Sequence, residues 1–179
     1  MERMSWDSYF MEICNTVSSR SPCISRKIGA IAVKEGRFVI ATGYNGPPSG
    51  FPHCVGMIED RVIRNSPPYE NQSITLEDSA YVKICPRKAK GYKSGEGLET
   101  CPAQHAERNV VCEAARLGHS LLGCIMYINT NQVCRECAKA IVNAGITEVV
   151  LTGNIPYPES GITGLEVLNM CRVNIRIVR

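Results

Sequence analysis

Residues 105–152, HAERNVVCEAARLGHSLLGCIMYINTNQVCRECAKAIVNAGITEVVLT, decide the class of fold. Their apolar spacing predicts a helix, a buried strand, a second helix and a second strand, in that order. The predicted helices cover 105–117 and 134–144, and the predicted strands cover 124–129 and 147–152. Gly118 and Gly145 follow the two helices and would end them. Strands that alternate regularly with helices indicate an α/β layered sandwich.

The flanking sequence extends this pattern in both directions. Upstream, residues 5–18 predict an amphipathic helix with Ser5 as its N-cap. The two runs at 28–33 and 38–46 then predict a β-hairpin. Downstream, a further helix is predicted over 164–171 and a closing strand over 173–178.

The segment from about residue 47 to 104 lacks such periodicity. Prolines and glycines interrupt it, and it contains Cys54, Cys85 and Cys101. An unstructured loop of this length is uncommon inside a compact domain, so something must fasten it, and a structural metal would do so. We therefore interpret residues 1–179 as a single domain that carries an insert.

The bulk composition excludes several classes of protein. Hydrophobic residues make up 44% of the chain and charged residues 21%, as is typical of a soluble globular protein. A net charge of +3 and an aromatic content of 6% do not favour binding to polymeric nucleic acid. Because we find neither a membrane span nor the layout of a signal peptide, we expect a cytoplasmic protein without a membrane partner. The ten cysteines would then be metal ligands or small core residues rather than disulfides.

One histidine and two cysteines are placed to bind a metal. His105 opens the first predicted helix, and Cys134 and Cys137 open the second. Three protein ligands leave one tetrahedral position for water, as in catalytic zinc sites. Glu107 would stand beside that water as a base. Each of the two motifs also has an ordinary explanation when it is taken alone, since H-x-E is common on solvated helices and C-x-x-C also forms redox pairs.

H-x-E and C-x-x-C in this order form the known signature of zinc deaminases. The segments CISRKIGAIAV, TGYNGPPSGFPHC, CPAQHAERN and CRECAKAIVNAGI carry a wider match, from about residue 6 to 178. On these residues the chain resembles the cytidine/deoxycytidylate deaminase superfamily, and within it the dCMP deaminases. It departs from the family at Val133, where a proline usually pre-sets the entry to the helix.

The resemblance implies a cytidine-deaminase-like three-layer αβα sandwich, with a five-stranded mixed sheet and a zinc-tethered insert. It also implies zinc-dependent hydrolysis of dCMP to dUMP and ammonia, in which Glu107 passes protons from water to ring N3 and to the departing amine. Asn45 matches a family position that holds a sugar hydroxyl, and Tyr157 one that contacts the nucleotide phosphate. As residues alone, they also fit a turn asparagine and a surface tyrosine.

Four further cysteines have a dispersed spacing: Cys23, Cys54, Cys85 and Cys101. They fit either separate buried thiols or a closed tetrahedral zinc site that fastens the insert. The resemblance implies a structural zinc with ligands matching Cys23 and Cys54, and His53 could replace one ligand. We therefore predict two zinc ions, one catalytic and one structural.

Several residues outside the catalytic set fit contacts with anionic ligands. The basic residues of the insert fit either a solvated face or phosphate contact: Arg87, Lys88, Lys90 and Lys93. Because dCMP deaminases are typically hexamers activated by dCTP and inhibited by dTTP, the resemblance implies a homo-oligomer with triphosphate effectors that would bring Mg²⁺. The candidate effector residues are Gly43, Tyr44, Gly46 and Arg116.

Other functions fit the same catalytic residues. One is deamination of tRNA or single-stranded nucleic acid, although such enzymes usually carry basic or aromatic extensions. Others are deamination of free cytidine or of a pterin-like or riboflavin precursor, which need no phosphate. A non-catalytic zinc protein that binds nucleotides is a third class, but it would have no use for Glu107 as a base.

Overall fold

Helix α1, Trp6–Ser19, begins the fold in this computed structural model. The structure describes residues 3–51, 53–54, 85–93, 96–155 and 157–178. The Ser5 hydroxyl accepts a hydrogen bond of 3.1 Å from the Ser8 amide, so Ser5 caps α1 as predicted. Phe10 and Cys14 point from α1 into a buried apolar cluster that includes Ile31.

A five-stranded mixed sheet forms the centre of the fold. Its strands are β1 (Gly29–Lys34), β2 (Phe38–Tyr44), β3 (Ile125–Ile128), β4 (Glu148–Leu151) and β5 (Asn174–Ile177). Their spatial order is β2-β1-β3-β4-β5. β1 pairs antiparallel with both β2 and β3, whereas β3, β4 and β5 run parallel. The predicted hairpin forms the antiparallel pair β1 and β2, and the predicted alternation of strands and helices forms the parallel part, β3 to β5.

Helices cover both faces of this sheet. The remaining helices are α2 (Pro86–Ala89), α3 (Ala106–Leu117), α4 (Arg135–Asn143) and α5 (Gly164–Met170). α1 packs on one face, whereas α3, α4 and α5 bury their apolar sides on the other. Val110, Ile141 and Leu168, one from each of these three helices, are fully buried there. The predicted three-layer αβα sandwich is confirmed.

Two glycines end helices as the sequence predicts. Gly118 is the C-cap of α3, with a φ of 72°, and Gly145 follows α4 with a φ of 78°. Only glycine adopts this left-handed conformation without strain, so each helix ends sharply and the chain turns toward the next strand. Among the helices that the structure describes, none is both long and apolar enough to cross a membrane.

The predicted insert, 47–104, contains two short elements that periodicity did not reveal. They are α2 and a 3₁₀ turn at Leu98–Thr100, and each lies next to a cysteine of the dispersed set. Near the two ends of the insert, Gly46 and Gln104 exchange backbone hydrogen bonds of 3.1 and 2.9 Å. This bridge closes the insert beside the start of α3. Positions 52, 55–84 and 94–95 of the predicted insert lie outside the described residues.

Candidate metal centre and active site

The starts of two helices bring three candidate ligands together. His105 is the N-cap of α3 and Cys134 is the N-cap of α4, with Cys137 in the first turn of α4. His105 Nδ1 lies 3.3 Å from Cys134 Sγ and 3.4 Å from Cys137 Sγ. The ligand atoms of all three residues lie within 4.8 Å of one another. The predicted convergence of imidazole and two sulfurs at one edge of the sheet is present.

These distances fit a zinc ion. Zn–S bonds of about 2.3 Å and Zn–N bonds of about 2.0–2.1 Å, at tetrahedral angles, separate nitrogen from sulfur by about 3.5 Å. One of the two sulfurs is prepared for a cation, because hydrogen bonds from Cys137 and His105 hold the pKa of Cys134 well below its usual value despite burial. The hydrogen bond to Cys134 and burial raise the pKa of Cys137, so a bound cation would have to displace that proton. Cys134 and Cys137 are 5% and 0% exposed, and so are shielded from oxidation in bulk solvent.

Glu107 lies in the first turn of α3, beside the three ligands. Its side chain is buried, with 4% of the residue exposed. Burial raises the pKa of Glu107, and the charge of His105 partly opposes this effect. A carboxyl group whose pKa is raised toward neutrality can both accept and donate a proton during turnover.

A pocket opens above this centre. His105 and Glu107 lie along it together with both residues that the family resemblance assigns to the nucleotide, Asn45 and Tyr157. The Tyr157 ring centroid is 6.2 Å from that of His105, and burial raises the pKa of Tyr157 to about 12, so its hydroxyl stays protonated. The structure therefore brings the four residues together, while their contacts with a substrate stay predictions.

Asn45 also has a structural role that the sequence did not reveal. Its side-chain amide donates to the Arg26 carbonyl at 2.8 Å, and its side-chain carbonyl accepts from the Ile28 amide at 2.8 Å. Asn45 is 8% exposed, so these bonds are shielded from water. They fix the backbone that leads from α1 into β1 along the wall of the pocket.

Glu159 is a second residue that sequence reasoning missed. Its carboxylate accepts hydrogen bonds from the Arg135 amide, at 2.9 and 3.2 Å, and from the Gly164 amide, at 2.9 Å. These amides are the first of α4 and α5, where helix dipoles favour a negative charge. Glu159 therefore connects the loop that carries Tyr157 to the helix that carries the two cysteine ligands. An acid two residues after Tyr157 gives no local signal of this contact.

Val133 occupies the position where the family usually has proline. Its side chain is 1% exposed and belongs to the main apolar core. A β carbon on Gly164 would lie 2.3 Å from the Val133 carbonyl oxygen, so α5 presses directly on this turn. Packing therefore holds the entry to α4 that a proline ring would otherwise pre-set.

The four remaining site cysteines gather beside the same pocket. Cys54 and Cys85 are buried, whereas Cys23 and Cys101 are half-buried. Burial raises the pKa of Cys54 to about 11, and the charges of the other three thiols add to the rise, so all four lie within electrostatic reach. They are less compact than the first centre. Within the described residues, only His105, Cys134 and Cys137 form a group of three or more ligand atoms that all lie within 4.8 Å of one another. All ten cysteines are free thiols.

The candidate effector residues do not line the pocket, although Tyr44 and Gly46 flank Asn45, which does. Tyr44 and Arg116 are exposed, and Arg116 is in the last turn of α3, at the opposite end from Glu107. A β carbon on Gly43 would lie 2.5 Å from the Ala106 carbonyl oxygen, so this glycine lets α3 approach β2 closely. A β carbon on Gly46 would lie 3.2 Å from Pro22. Packing thus gives both glycines a role, and their contact with an effector stays a prediction.

The sequences of known proteins match this chain. The family model of the cytidine and deoxycytidylate deaminase zinc-binding region matches residues 4–152. A deoxycytidylate deaminase of Schizosaccharomyces pombe is 36% identical over 150 residues, which is 83% of this chain and 37% of that protein. A deoxycytidylate deaminase of Mycobacterium phage D29 is 32% identical over 155 residues, which is 84% of this chain and 96% of that protein. The chain thus spans less than half of the fission yeast relative.

A solved structure shares the fold. The dCMP deaminase from the cyanophage S-TIM5 aligns with a TM-score of 0.64 and 22% sequence identity, over 99% of this chain and 100% of that one. Because the family model matches most of the sequence and includes the histidine and both cysteines of the metal centre, the chain belongs to the cytidine and deoxycytidylate deaminase family.

Proposed function

We propose that this chain catalyses the zinc-dependent hydrolytic deamination of dCMP to dUMP, with release of ammonia. The observation that carries the proposal is that three ligand atoms lie within 4.8 Å of one another and that the buried carboxyl of Glu107 lies beside them, two residues after His105 at the start of α3. The relatives named deoxycytidylate deaminase in fission yeast and in phage D29 support the choice of substrate.

Each residue of the site would have a separate role in this reaction. His105, Cys134 and Cys137 would hold the zinc ion, which when bound activates water by lowering its pKa. Glu107 would take a proton from the attacking water and deliver it to N3 of the cytosine ring as the water oxygen bonds to C4. It would then take the remaining hydroxyl proton and pass it to the amine, so that the C4–N bond breaks and ammonia leaves. Because Glu107 is buried, its proton is delivered to the substrate rather than to bulk solvent. Tyr157 closes one wall of the pocket beside His105.

Glu107→Gln tests this proposal. We expect ammonia release from dCMP to fall by about 10²–10⁴-fold, because the amide cannot shuttle protons, while zinc content stays unchanged. A zinc chelator should abolish turnover by the wild-type protein. Glu136→Gln, an exposed glutamate of α4, serves as the control and should retain full turnover. Near-normal turnover by Glu107→Gln, or activity that a chelator leaves intact, would overturn the proposal.

We also propose a structural zinc at the four-cysteine cluster of Cys23, Cys54, Cys85 and Cys101. Their mutual electrostatic reach and their thiol chemistry support it, and a bound ion would draw the sulfurs together and fasten the insert. Metal analysis should give two zinc ions per chain in the wild type and one in Cys54→Ser. Cys112→Ser, which removes an exposed thiol, should keep two. One zinc in a fully active wild-type protein would contradict the second site.

Regulation and assembly form the last part of the proposal. We propose a cytoplasmic homo-hexamer that dCTP with Mg²⁺ activates and dTTP inhibits, with the effector contacting Gly43, Tyr44, Gly46 and Arg116. The exposure of Tyr44 and Arg116 supports it. Light scattering gives the oligomeric state, and turnover should become insensitive to both triphosphates in Arg116→Ala. Equal responses to triphosphates in that variant and in the wild type would remove Arg116 from the effector site.

A further inference from the structure

Positive charge dominates the walls of the active-site pocket. Four cations line it: Arg26, Arg87, Lys88 and Lys93. Among the described residues that line the pocket, Glu107 is the one carboxylate, and it is buried next to the metal centre. Cys23, Cys85 and Cys101 of the four-cysteine cluster also line the pocket, and zinc-bound thiolates there would offset part of this positive charge. The cytosine ring is neutral, so the remaining positive charge is available to another part of the ligand.

Arg26 is an exposed residue whose backbone and side chain are each held by a hydrogen bond. Its carbonyl accepts the hydrogen bond from Asn45, which fixes the backbone, and its guanidinium Nη2 donates to Thr130 Oγ1 at 3.1 Å. Thr130 follows β3 and is 6% exposed, so it is a rigid anchor. In the described part of the chain, no carboxylate forms an ion pair with Arg26. A guanidinium that is oriented by Thr130 and that no carboxylate of the described residues neutralises is suited to a phosphate.

The insert contributes the other cations, and the structure separates their roles. The Arg87 guanidinium donates to the carbonyls of Lys93 and Glu96, so it braces the loop that carries the lysines. Lys88 and Lys93 are exposed and line the pocket, whereas Lys90 is exposed but does not line it. The four-residue basic cluster of the sequence thus splits into one bracing arginine, two lysines at the pocket and one lysine elsewhere.

We infer that Arg26 is the main ligand for the 5′-phosphate of the nucleotide, and that Lys88 and Lys93 of the insert complete this phosphate subsite. The inference rests on the proposed deamination and specifies how the same pocket distinguishes a nucleotide from a nucleoside. A phosphate held by Arg26 lies in the same pocket as Glu107, so one ligand can contact both. The subsite makes Arg26 a specificity residue that touches the substrate away from the reacting atoms.

Arg26→Gln provides the test, with Lys27→Gln as the matched control. Lys27 is the next residue, carries the same charge and does not line the active-site pocket. In the zinc-loaded protein, we expect kcat/KM for dCMP to fall roughly tenfold to a hundredfold in Arg26→Gln, the size of a lost charged hydrogen bond. The same ratio for deoxycytidine should stay within about twofold, because that substrate has no phosphate to lose. Lys27→Gln should leave both ratios unchanged.

Thr130→Val separates phosphate binding from a structural role of Arg26. It removes the hydroxyl that anchors the guanidinium but leaves the positive charge in the pocket. If Arg26 acted only by holding the pocket together through Thr130, both variants would lose dCMP and deoxycytidine turnover equally, and that result would overturn the inference. Unchanged kcat/KM for dCMP in Arg26→Gln would also overturn it.

A binding measurement tests the subsite without turnover. Isothermal titration with dUMP and with deoxyuridine should show that Arg26→Gln weakens dUMP binding roughly tenfold or more and leaves deoxyuridine binding unchanged. Lys88→Gln with Lys93→Gln should weaken dUMP binding less, and Lys90→Gln not at all. If the wild type binds dUMP in this way yet releases no ammonia from dCMP, the proposed function fails while the phosphate subsite stands. If Arg26→Gln binds dUMP as the wild type does, the subsite fails.

Discussion

At the scale of single residues, Glu159 binds the first amides of two helices, α4 and α5, and so connects them to the loop that carries Tyr157 at the wall of the active site. We expect Glu159→Gln to destabilise the fold by about 1–3 kcal/mol, because the amide keeps one acceptor but turns an NH₂ group toward helix N-termini that favour an anion. Glu12→Gln, an exposed acid in the middle of helix α1 and away from any helix start, should cost less than about 0.5 kcal/mol. Urea unfolding of the two variants gives the comparison, and equal stabilities would show that Glu159 does not carry this connection.

Among the site residues, the ligands and Glu107 could be predicted because their chemistry needs a fixed spacing on the helix starts. Arg26 and Glu159 could not, since each acts through partners that are distant in sequence. Arg26 reaches Thr130 across 104 positions, and Glu159 reaches Arg135 across 24. Nothing in the residues beside Arg26 distinguishes it from Lys27, and only the folded chain places one of them in the pocket.

At the scale of elements, the contact between β2 and α3 depends on a glycine. In Gly43→Ala, the new β carbon would lie 2.5 Å from the Ala106 carbonyl oxygen and 2.6 Å from the Val110 amide, both of which are backbone atoms. Helix α3 must therefore move, and we expect a loss of about 1–3 kcal/mol in the free energy of unfolding together with reduced turnover, because α3 carries Glu107. Calorimetry and ammonia release give the two quantities.

Gly46→Ala is the matched control for that prediction. Its β carbon would meet the Pro22 ring at 3.2 Å, and a shift of a few tenths of an ångström would accommodate it. We expect it to be less destabilising than Gly43→Ala by at least about 1 kcal/mol. A Gly43→Ala protein that is as stable as Gly46→Ala would show that the helix and strand tolerate more separation than their packing indicates.

The elements themselves were predictable where local chemistry starts and ends them. Ser5 caps α1, and Gly118 and Gly145 end α3 and α4, so these boundaries agree with the sequence to within one or two residues. The insert was different, because α2 spans only Pro86–Ala89 and the 3₁₀ turn only Leu98–Thr100. Elements of three or four residues are too short to show a periodic apolar pattern, and contacts with the rest of the protein decide them.

At the scale of the whole molecule, removal of zinc should lower stability as well as activity. The metal centre joins α3 to α4, and the proposed second site joins the insert to the core, so bound metal favours the folded state. We expect chelation to lower Tm by at least about 5 °C, since 1 kcal/mol corresponds to about 2–4 °C at this chain length. Zinc should restore Tm and Mg²⁺ should not, because thiolates select the softer ion. An unchanged Tm would mean that metal does not hold these elements together.

A second connection across the whole molecule joins α1 to the far edge of the sheet, through Asp7 and Arg176. Tyr127 donates to the Asp7 carboxylate at 2.7 Å, and Arg176 binds both Asp7 and, at 2.9 Å, Glu148. Burial raises the pKa of Asp7, but the hydrogen bonds from Arg176 and Tyr127 and the charge of Arg176 outweigh it, so the pKa is lowered. Since folding lowers it, the ionised carboxylate stabilises the fold above the unfolded value of about 3.9, and this contribution is lost as pH falls through the folded pKa.

Asp7→Asn should therefore be less stable than the wild type by about 1 kcal/mol at pH 7, a modest figure because the Arg176 and Asp7 side chains are 37% and 35% exposed. The difference should persist down to about pH 5 and shrink below about pH 3.9, where the wild-type carboxyl also becomes neutral. Urea unfolding at several pH values measures it, with Glu12→Gln, an exposed acid on the same helix, as the control. Loss of metal at low pH affects all three proteins alike and cancels in the difference. A gap between Asp7→Asn and the wild type that stays constant down to pH values below the folded pKa would show that the charge of Asp7 does not connect α1 to β5.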